Sequence, residues 1–402
     1  MSIFNGLKVI DVASYVAAPA AATILSDFGA DVIKIEPPEG GDGYRWMSAL
    51  PNLPKSEHNY TWALVSRNKR GLALDLKSAA GQRVLRRLVE AADVLITNYP
   101  PDVRAKLGLD HATLAALNPR LIHAAVSGYG ETGPDANQLG FDATAYFARS
   151  GLTDVTRPHE HAAPVSPALA QGDGPTAAML YGAIVTALYQ RERTGQGAGV
   201  TTSLLANGIW SNGPMVQAAL CGAEIRYRWP REAPRSALSN VYACRDGRWF
   251  QIAMTAEDKL WPRLVELLGL EALAQDPRFA ALPERRANAP ALTAEFDRVF
   301  ATRDAADWLA RFEGRGFTVS VVTRLADVPN DAQAVHAGAI VPADGIGGTD
   351  RTVDSPFRIA GIDKVRPRRA PELGEHSDEV LREHGFDAAE IAALRRDRVV
   401  AG

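Results

Sequence analysis

Asp173 is the residue of this sequence best placed to do chemistry, because it stands between two glycines in QGDGPT (residues 171–176). Flanking glycines leave room for a ligand, and an ionised carboxylate is a nucleophile. The stretch also predicts a helix that begins at Pro175, whose positive end is expected to keep Asp173 ionised. An Asp at this place is most often only an N-cap that binds the first N–H groups of the helix. The stretch alone therefore favours a capping role and leaves a catalytic role open.

A basic cluster, SRNKRG (residues 66–71), is the second candidate. It carries Arg67, Lys69 and Arg70 just before a predicted strand, and Lys77 follows shortly after. Basic runs of this kind usually form a solvated face. Guanidinium and ammonium groups also bind phosphates, so a phosphate site is the alternative.

Three other kinds of site are not supported by the sequence. The glycines of SGYGETGP (residues 127–134) do not form a G-x-G-x-x-G that opens a helix, which excludes a nicotinamide site. His159 and His161 have no further ligand cluster near them in sequence, so no metal site is expected. The G-x-S-x-G signature of serine hydrolases is absent.

Composition points to small-molecule chemistry. The 402 residues carry a net charge of −3, which supplies no positive field to attract nucleic acid or an acidic membrane. The apolar run of residues 177–189 is too short to span a bilayer, so no membrane role is expected. Two cysteines, Cys221 and Cys244, cannot form a disulfide framework, which favours a reducing, cytoplasmic location.

The elements that must position these residues alternate between strands and helices. LKVIDVAS, residues 32–35, GLALDL, DVLITNY and LIHAAVSGYG read as strands, and Ser78 opens a helix over SAAGQRVLRRLVEAA. This alternation predicts an α/β fold with a parallel, doubly wound sheet. In such a sheet the ligand lies beyond the carboxyl ends of the strands, here at residues 98–104 and 127–133.

The chain divides into three predicted parts. Residues 1–225 form a large Rossmann-like domain that holds the candidate site. A polar, proline-containing stretch then leads into a small α+β domain, residues 226–330, with a hairpin about Asp246-Gly247 and helices over 259–270, 291–300 and 305–312. Residues 331–402 return to the large domain, and the stretch from 341 to 370 is rich in proline and glycine and is expected to be irregular.

Segments along almost the whole chain resemble the family III CoA-transferases, a group that includes formyl-CoA transferase and carnitine CoA-transferase, with α-methylacyl-CoA racemase as a relative. The segments are LKVIDVASYVAAPAAATILSDFGADVIKIEPPEGGD, NKRGLALDLK, DVLITNYPP, NPRLIHAAVSGYGETGP, GFDATAYFARSGL, QGD, ALYQRERTGQG, DPRF and LGEHSDEVL. The resemblance implies a Rossmann-like large domain, a smaller domain and an interlocked, ring-like homodimer.

The resemblance also implies a reaction and a nucleophile. Asp173 matches the catalytic aspartate of the family. The implied function is transfer of CoA from an acyl-CoA to a free carboxylic acid, through anhydride and aspartyl-CoA thioester intermediates on Asp173. Coenzyme A enters as the acyl-CoA substrate, and no metal is implied.

Contacts to coenzyme A are carried over from the family residue by residue. Lys77 and Lys106 would offset phosphate charge with help from Arg70, and Leu74 and Asn98 would touch the adenosine or pantetheine. The matching positions are Val16, Leu74, Lys77, Asn98, Tyr99, Lys106 and Tyr129.

Two alternative functions stay open. In the racemase a histidine precedes the position of Asp142 and serves as a base, but this chain has Phe141 there, so proton abstraction loses a base. A CoA-binding regulator would need the basic positions and not Asp173.

The substrate is also open at this point. A dicarboxylate such as succinate or mesaconate would suit an arginine, whereas Tyr146, Phe147 and Phe141 would suit an apolar or aromatic acyl group. The arginines considered are Arg149, Arg226, Arg228, Arg231 and Arg235.

Overall fold

Strands and helices alternate through the first two hundred residues, as the hydrophobic pattern predicts. A computed structural model of the chain describes residues 2–346 and 348–402. The strands are β1 (Lys8–Val12), β2 (Asp31–Glu36), β3 (Arg70–Leu74), β4 (Val94–Thr97), β5 (Ile122–Ser127), β6 (Ala198–Ser203), β7 (Ser239–Ala243), β8 (Trp249–Ala253), β9 (Val319–Val321), β10 (Ile340–Ile346), β11 (Thr349–Val353) and β12 (Val400–Ala401).

The α-helices pack between and around these strands. They are α1 (Ala17–Asp27), α2 (Tyr60–Ser66), α3 (Ala79–Ala91), α4 (Pro101–Lys106), α5 (His111–Leu117), α6 (Leu152–Val155), α7 (Asp173–Thr194), α8 (Leu204–Ser211), α9 (Gly213–Leu220), α10 (Glu257–Leu268), α11 (Leu282–Ala287), α12 (Ala289–Phe300), α13 (Ala305–Phe312), α14 (Ala332–His336), α15 (Ser377–Glu383) and α16 (Ala388–Arg396). Ser78 caps α3 as predicted, since its hydroxyl accepts the Gly81 N–H at 3.0 Å. No helix in the described ranges has the length and apolarity needed to cross a membrane.

The large sheet has the strand order β12-β3-β2-β1-β4-β5-β6. The predicted parallel pairing is confirmed for β1 to β6, and the order reverses between β1 and β4. The expectation of a purely parallel sheet is wrong at one edge, where β12 runs antiparallel to β3 with Val400 opposite Leu74. A strand of two residues is too short to show a periodic pattern, so β12 could not be predicted from the sequence.

The expectation of irregular chain over residues 341–370 is also wrong in part. β10 and β11 form an antiparallel hairpin whose register shifts between Pro342 and Ile346. Proline and glycine interrupt the usual strand pattern, but an irregular hairpin tolerates both where the ladder shifts.

Alternating strand residues feed two apolar cores, one on each face of the large sheet. Ile10 and its neighbours pack with α3 and with the C-terminal helices α15 and α16. Val9 and its neighbours pack with α1 and α7 on the other face. Helix α7, which begins in the candidate catalytic stretch, therefore lies on the same face of the sheet as α1.

Two compact units divide the described chain. The larger comprises the residues up to Thr153, Ser166–Cys221 and Ala332–Gly402, and the smaller comprises Asp154–Val165 and Gly222–Asp331. Within the smaller unit, β7, β8 and β9 form an antiparallel sheet, and the predicted hairpin about Asp246-Gly247 is confirmed. Its core is aromatic, with Phe300 packed between Tyr242, Phe250 and Trp308.

Candidate active site

The candidate site lies at the carboxyl edge of the large sheet, where the strand order reverses. Loops that leave β1 and β4 diverge at this point and open a crevice. Asn98, which follows β4, bridges the two loops: its Nδ2 donates to the Ser14 carbonyl at 2.7 Å, and its Oδ1 accepts the Ser14 N–H at 2.9 Å. The amide of Asn98 is thus engaged in holding the β1 loop.

A cleft of about 880 Å³ opens beside these loops. It brings together four residues predicted to contact coenzyme A, namely Leu74, Lys77, Tyr99 and Lys106. Leu74 ends β3, Lys77 and Tyr99 follow strands, and Lys106 ends α4, the helix that follows β4. The carboxyl ends of parallel strands meet at one edge, so these residues converge. A cavity of this size suits a large cofactor-like substrate.

Arg398 is a cleft residue that the sequence analysis missed. It lies in the turn between α16 and β12, has φ of 56°, and is exposed at the cleft with Lys77 and Lys106. Its guanidinium has no ion-pair partner in the described part of the chain, whereas Lys106 is 3.8 Å from Asp102. Only the antiparallel return of β12 to β3 brings Arg398 here, so no local signal could have found it.

Val16 and Tyr129 do not line the cleft. Val16 is the N-cap residue of α1 and shares a small apolar cluster with Tyr44 and Val65. Ala170, three residues before Asp173, packs against this cluster. Tyr129 packs against the core on the α7 face of the sheet. Val16 therefore faces the start of α7 and not the nucleotide-sized cleft.

The basic cluster at residues 67–70 is neither a solvated face nor a phosphate site. Arg67 forms a buried ion pair with Asp27 at 2.7 Å, and Lys69 is buried. Arg70 sits at the amino end of β3, at the edge opposite the cleft, where its guanidinium pairs with Asp31 at 2.6 Å. The expectation that Arg70 helps to bind phosphate is therefore wrong, because Arg70 and Leu74 lie at opposite ends of β3 and only Leu74 lines the cleft.

Asp173 is the first residue of α7, and the expected capping role is wrong. The N-cap is Gly172, and no side chain makes a capping hydrogen bond there. The two flanking glycines act differently. A Cβ at Gly172 would lie 2.6 Å from the Tyr146 ring, whereas a Cβ at Gly174 would have no atom within 4 Å. Gly172 permits close packing, and Gly174 leaves open space beside the carboxylate.

Asp142 fixes the loop that presents Asp173. Its Oδ2 accepts the Gly172 N–H at 3.1 Å, and its Oδ1 accepts the Ala143 N–H at 2.7 Å. Burial, together with the negative charge of Asp142, raises the pKa of Asp173 to about 7. Desolvation disfavours the charged form and so opposes the expected effect of the helix N-terminus on Asp173.

Aromatic side chains surround this end of α7. Tyr15 adopts φ of 64° and its ring meets Phe141 edge to face, with centroids 5.5 Å apart. Burial, and then the charge of Asp173, raises the pKa of Tyr44. Ala170 also has a positive φ, 61°. Tyr15 and Ala170 are thus two residues other than glycine in the left-handed region, and strained conformations of this kind cluster at functional sites.

The five arginines considered for a second carboxylate are divided between the two units. Arg149 belongs to the larger unit and pairs with Asp135 at 2.9 Å. The other four belong to the smaller unit, where Arg231 pairs with Asp297 and where Arg228 and Arg235 line a cavity of about 780 Å³. In the described ranges no group of His, Cys, Asp or Glu side chains is placed to hold a metal ion.

Comparison with known proteins identifies the class. The chain matches the model of CoA-transferase family III over residues 4–377. It belongs to this family and is an acyl-CoA:carboxylate CoA-transferase.

Two curated relatives and one solved structure illustrate the match. The chain is 32% identical to (R)-2-hydroxy-4-methylpentanoate CoA-transferase of Clostridioides difficile, covering 99% of both chains. It is 33% identical to cinnamoyl-CoA:phenyllactate CoA-transferase of Clostridium sporogenes, covering 99% of this chain and 97% of the relative. A crystal structure of a CaiB/BaiF family protein from Brucella suis has a TM-score of 0.83 and 31% identity, covering 95% of this chain and 99% of that one.

Proposed function

We propose that Asp173 is the nucleophile of the CoA-transfer reaction. Its carboxylate attacks the thioester carbonyl of the donor, which releases CoA thiolate and leaves a mixed anhydride. The thiolate then attacks the Asp173 carbonyl, which expels the donor acid and forms an aspartyl-CoA thioester. The acceptor carboxylate attacks that thioester and releases the thiolate once more. The thiolate takes the acceptor's acyl group from the second anhydride, and Asp173 is restored.

One observation carries this proposal: a partly buried carboxylate that caps no helix stands beside open space at Gly174. Burial raises the pKa of Asp173 to about 7, and a carboxylate stripped of part of its water is more reactive than a fully hydrated one. The start of α7 lies at the carboxyl edge of the sheet, because α7 connects β5 to the parallel strand β6. The nucleophile and the cleft thus share one edge.

The cleft supports the binding of coenzyme A. Leu74 and Tyr99 offer apolar and aromatic surface, and Lys77, Lys106 and Arg398 place three cations where phosphates can be neutralised. We propose that these residues hold the nucleotide end of coenzyme A. Val16 and Asn98, which shape the β1 loop, would act nearer the thioester.

The surroundings of Asp173 favour an apolar acceptor over a dicarboxylate. Phe141 is 60% exposed and contacts Tyr15, whereas Arg149 is already paired with Asp135. The two curated relatives are named for 2-hydroxy-4-methylpentanoate and phenyllactate. We propose a monocarboxylic acid with an apolar or aromatic side chain as acceptor. A panel that sets 2-hydroxy-4-methylpentanoate and phenyllactate against succinate and mesaconate tests this, and faster transfer to succinate or mesaconate would overturn it.

The racemase alternative is disfavoured by the bonds of Asp142. Both of its oxygens accept backbone N–H groups, from Ala143 and Gly172, so it holds the loop and is poorly placed to take a substrate proton. Phe141 supplies no base. A regulator without activity is disfavoured because the chain belongs to a family of transferases.

We propose a homodimer as the working form. Large apolar side chains of the larger unit are left exposed along α7, α8 and α9: Met179 at 51%, Tyr189 at 65%, Trp210 at 79% and Leu220 at 77%. Apolar surface of this extent is typical of an interface. Sedimentation analysis at several concentrations tests the proposal, and a monomer at micromolar protein would contradict it.

Covalent capture tests the nucleophile directly. Incubation with a competent acyl-CoA and no acceptor should leave an adduct on Asp173, since the next step lacks its partner. Hydroxylamine should convert it to a hydroxamate, and borohydride should reduce the thioester to an alcohol, both located by peptide mapping.

Asp173→Asn should abolish both the adduct and turnover. Glu192→Gln is the matched control, because Glu192 is an exposed carboxylate on the same helix. Turnover without any trapped adduct in the wild type, or an active Asp173→Asn variant, would refute nucleophilic catalysis.

A further inference from the structure

Four charged side chains are fully buried beneath the loop that joins β1 to α1. They are Asp11, Lys34, Asp42 and Lys69, and none exposes more than 1% of its side chain. Charges are rarely buried so completely unless each finds a partner of opposite sign. The reaction proposed above uses none of these residues, so their role needs a separate account.

The four charges compensate one another across several elements. Lys69 Nζ lies 2.8 Å from Asp11 Oδ2 and also donates to the carbonyls of Pro19 and Val65 at 2.7 Å each. Lys34 Nζ lies 3.0 Å from Asp42 Oδ2 and donates to the Ala13 carbonyl. The network therefore joins β1, β2, α1 and α2 directly below the β1 loop.

Asp42 is the member that reaches the site. Its Oδ1 accepts the N–H of Tyr15 at 3.1 Å and the N–H of Tyr44 at 2.9 Å, while its Oδ2 faces Lys34. Its own N–H donates to Glu36 Oε2 at 3.0 Å. One carboxylate thus holds both tyrosine backbones and is itself fixed from two sides.

Tyr15 needs such a hold because its backbone conformation is strained. A φ of 64° is costly for a bulky side chain and persists only where the surroundings impose it. Asp42 holds the Tyr15 N–H from below, and Asn98 holds both backbone groups of the preceding Ser14. The turn directs the Tyr15 ring onto Phe141. The next residue, Val16, belongs to the apolar cluster against which Ala170 packs, three residues before Asp173.

We propose that Asp42, anchored by Lys34, is a positioning residue that fixes the Tyr15–Val16 turn against the nucleophile. The inference rests on the proposed role of Asp173 and goes beyond it. A fixed turn keeps the acyl end of the substrate aligned with the carboxylate, and small misplacements at a reacting centre are costly. The nucleotide end of coenzyme A, held in the cleft, does not depend on this turn.

Asp42→Ala removes the acceptor, and Asp27→Ala is its matched control. Asp27 is equally buried and forms its ion pair with Arg67 at 2.7 Å, but it lies at the far end of α1. Both variants should be less stable than the wild type. Only Asp42→Ala should lose kcat, by about 10- to 100-fold. Its KM for acyl-CoA should change by less than about threefold, since binding of the nucleotide is untouched.

Asp42→Asn separates positioning from charge. The amide oxygen can still accept the N–H groups of Tyr15 and Tyr44, but the amide nitrogen would face the Lys34 ammonium and the anchoring ion pair is gone. The kcat of Asp42→Asn should therefore fall between that of the wild type and that of Asp42→Ala. Should Asp42→Ala fail to fold, Asp42→Gln replaces it, because the longer side chain fills the space and displaces the acceptor.

Two results would overturn the positioning role. One is a kcat for Asp42→Ala within about twofold of that for Asp27→Ala. The other is a loss expressed in KM and not in kcat. Trapping of the adduct on wild-type Asp173 is measured in parallel, so that failure of the proposed nucleophile is recognised separately from failure of this inference.

Discussion

Replacing Asp173 by asparagine should make the protein more stable at pH 8 while abolishing activity. Burial, and then the charge of Asp142, raises the pKa of Asp173 from 3.8 to about 7. Between these values the folded chain holds a proton that the unfolded chain has lost. The carboxyl group of Asp173 makes its full contribution to wild-type stability below about pH 4, and this contribution is lost as pH rises through about 7. Asparagine carries no such dependence.

The magnitude follows from the two pKa values. A tenfold change in an acid equilibrium corresponds to about 1.36 kcal/mol, so the difference between 3.8 and about 7 corresponds to about 4 kcal/mol for a fully shielded group. Asp173 is only partly buried, and water screens part of this penalty. We therefore expect the free energy of unfolding of Asp173→Asn, relative to that of the wild type, to rise by about 1–2 kcal/mol between pH 4 and pH 8.

Urea unfolding of both proteins at equal concentration, at pH 4, 5, 6, 7 and 8, measures this difference. The difference in free energy of unfolding should grow in favour of Asp173→Asn as pH rises to about 7, and it should stay constant above that pH. In the wild type, log kcat/KM should rise with pH to a plateau above about 7, since the carboxylate must be ionised to attack. A gap that does not vary with pH, or activity that is flat from pH 5 to 8, would refute the burial argument.

Three further outcomes are expected. Asp142→Asn keeps an acceptor for the Gly172 N–H but removes the negative charge near Asp173. The acid limb of the pH–rate profile should therefore move to lower pH. An unmoved limb would exclude this electrostatic effect. Arg398→Ala should raise the KM for acyl-CoA by about 3- to 30-fold with kcat retained, whereas Arg396→Ala, outside the cleft, should not; equal effects would remove Arg398 from the site. Gly172→Ala should lower the free energy of unfolding by about 1–3 kcal/mol, because its Cβ meets the Tyr146 ring, and Gly174→Ala should fold normally; a neutral Gly172→Ala would contradict that contact.

Local pattern was enough to predict the strands β1 to β5 and the helices α3 and α7, but not the strand β12 or the hairpin of β10 and β11. Strands that alternate with helices allow a doubly wound sheet, and Ser78 marks the start of α3 because a hydroxyl there can satisfy free N–H groups. The family resemblance implied the set Leu74, Lys77, Tyr99 and Lys106, and the predicted parallel sheet explains why Leu74 and Tyr99 meet. In a parallel sheet, residues at strand ends must meet at one edge.

The tertiary structure alone decided which charged side chains form ion pairs, which of them reach the cleft and how the pKa of Asp173 is shifted. The basic cluster at residues 67–70 reads as one feature in sequence, yet its side chains pair with acids on separate elements, such as Asp11, Asp27 and Asp31. Arg398 enters the cleft only because β12 returns antiparallel to β3. The pKa of Asp173 is set by what covers it and not by its neighbours in the chain, because desolvation and ion pairing depend on distances in space.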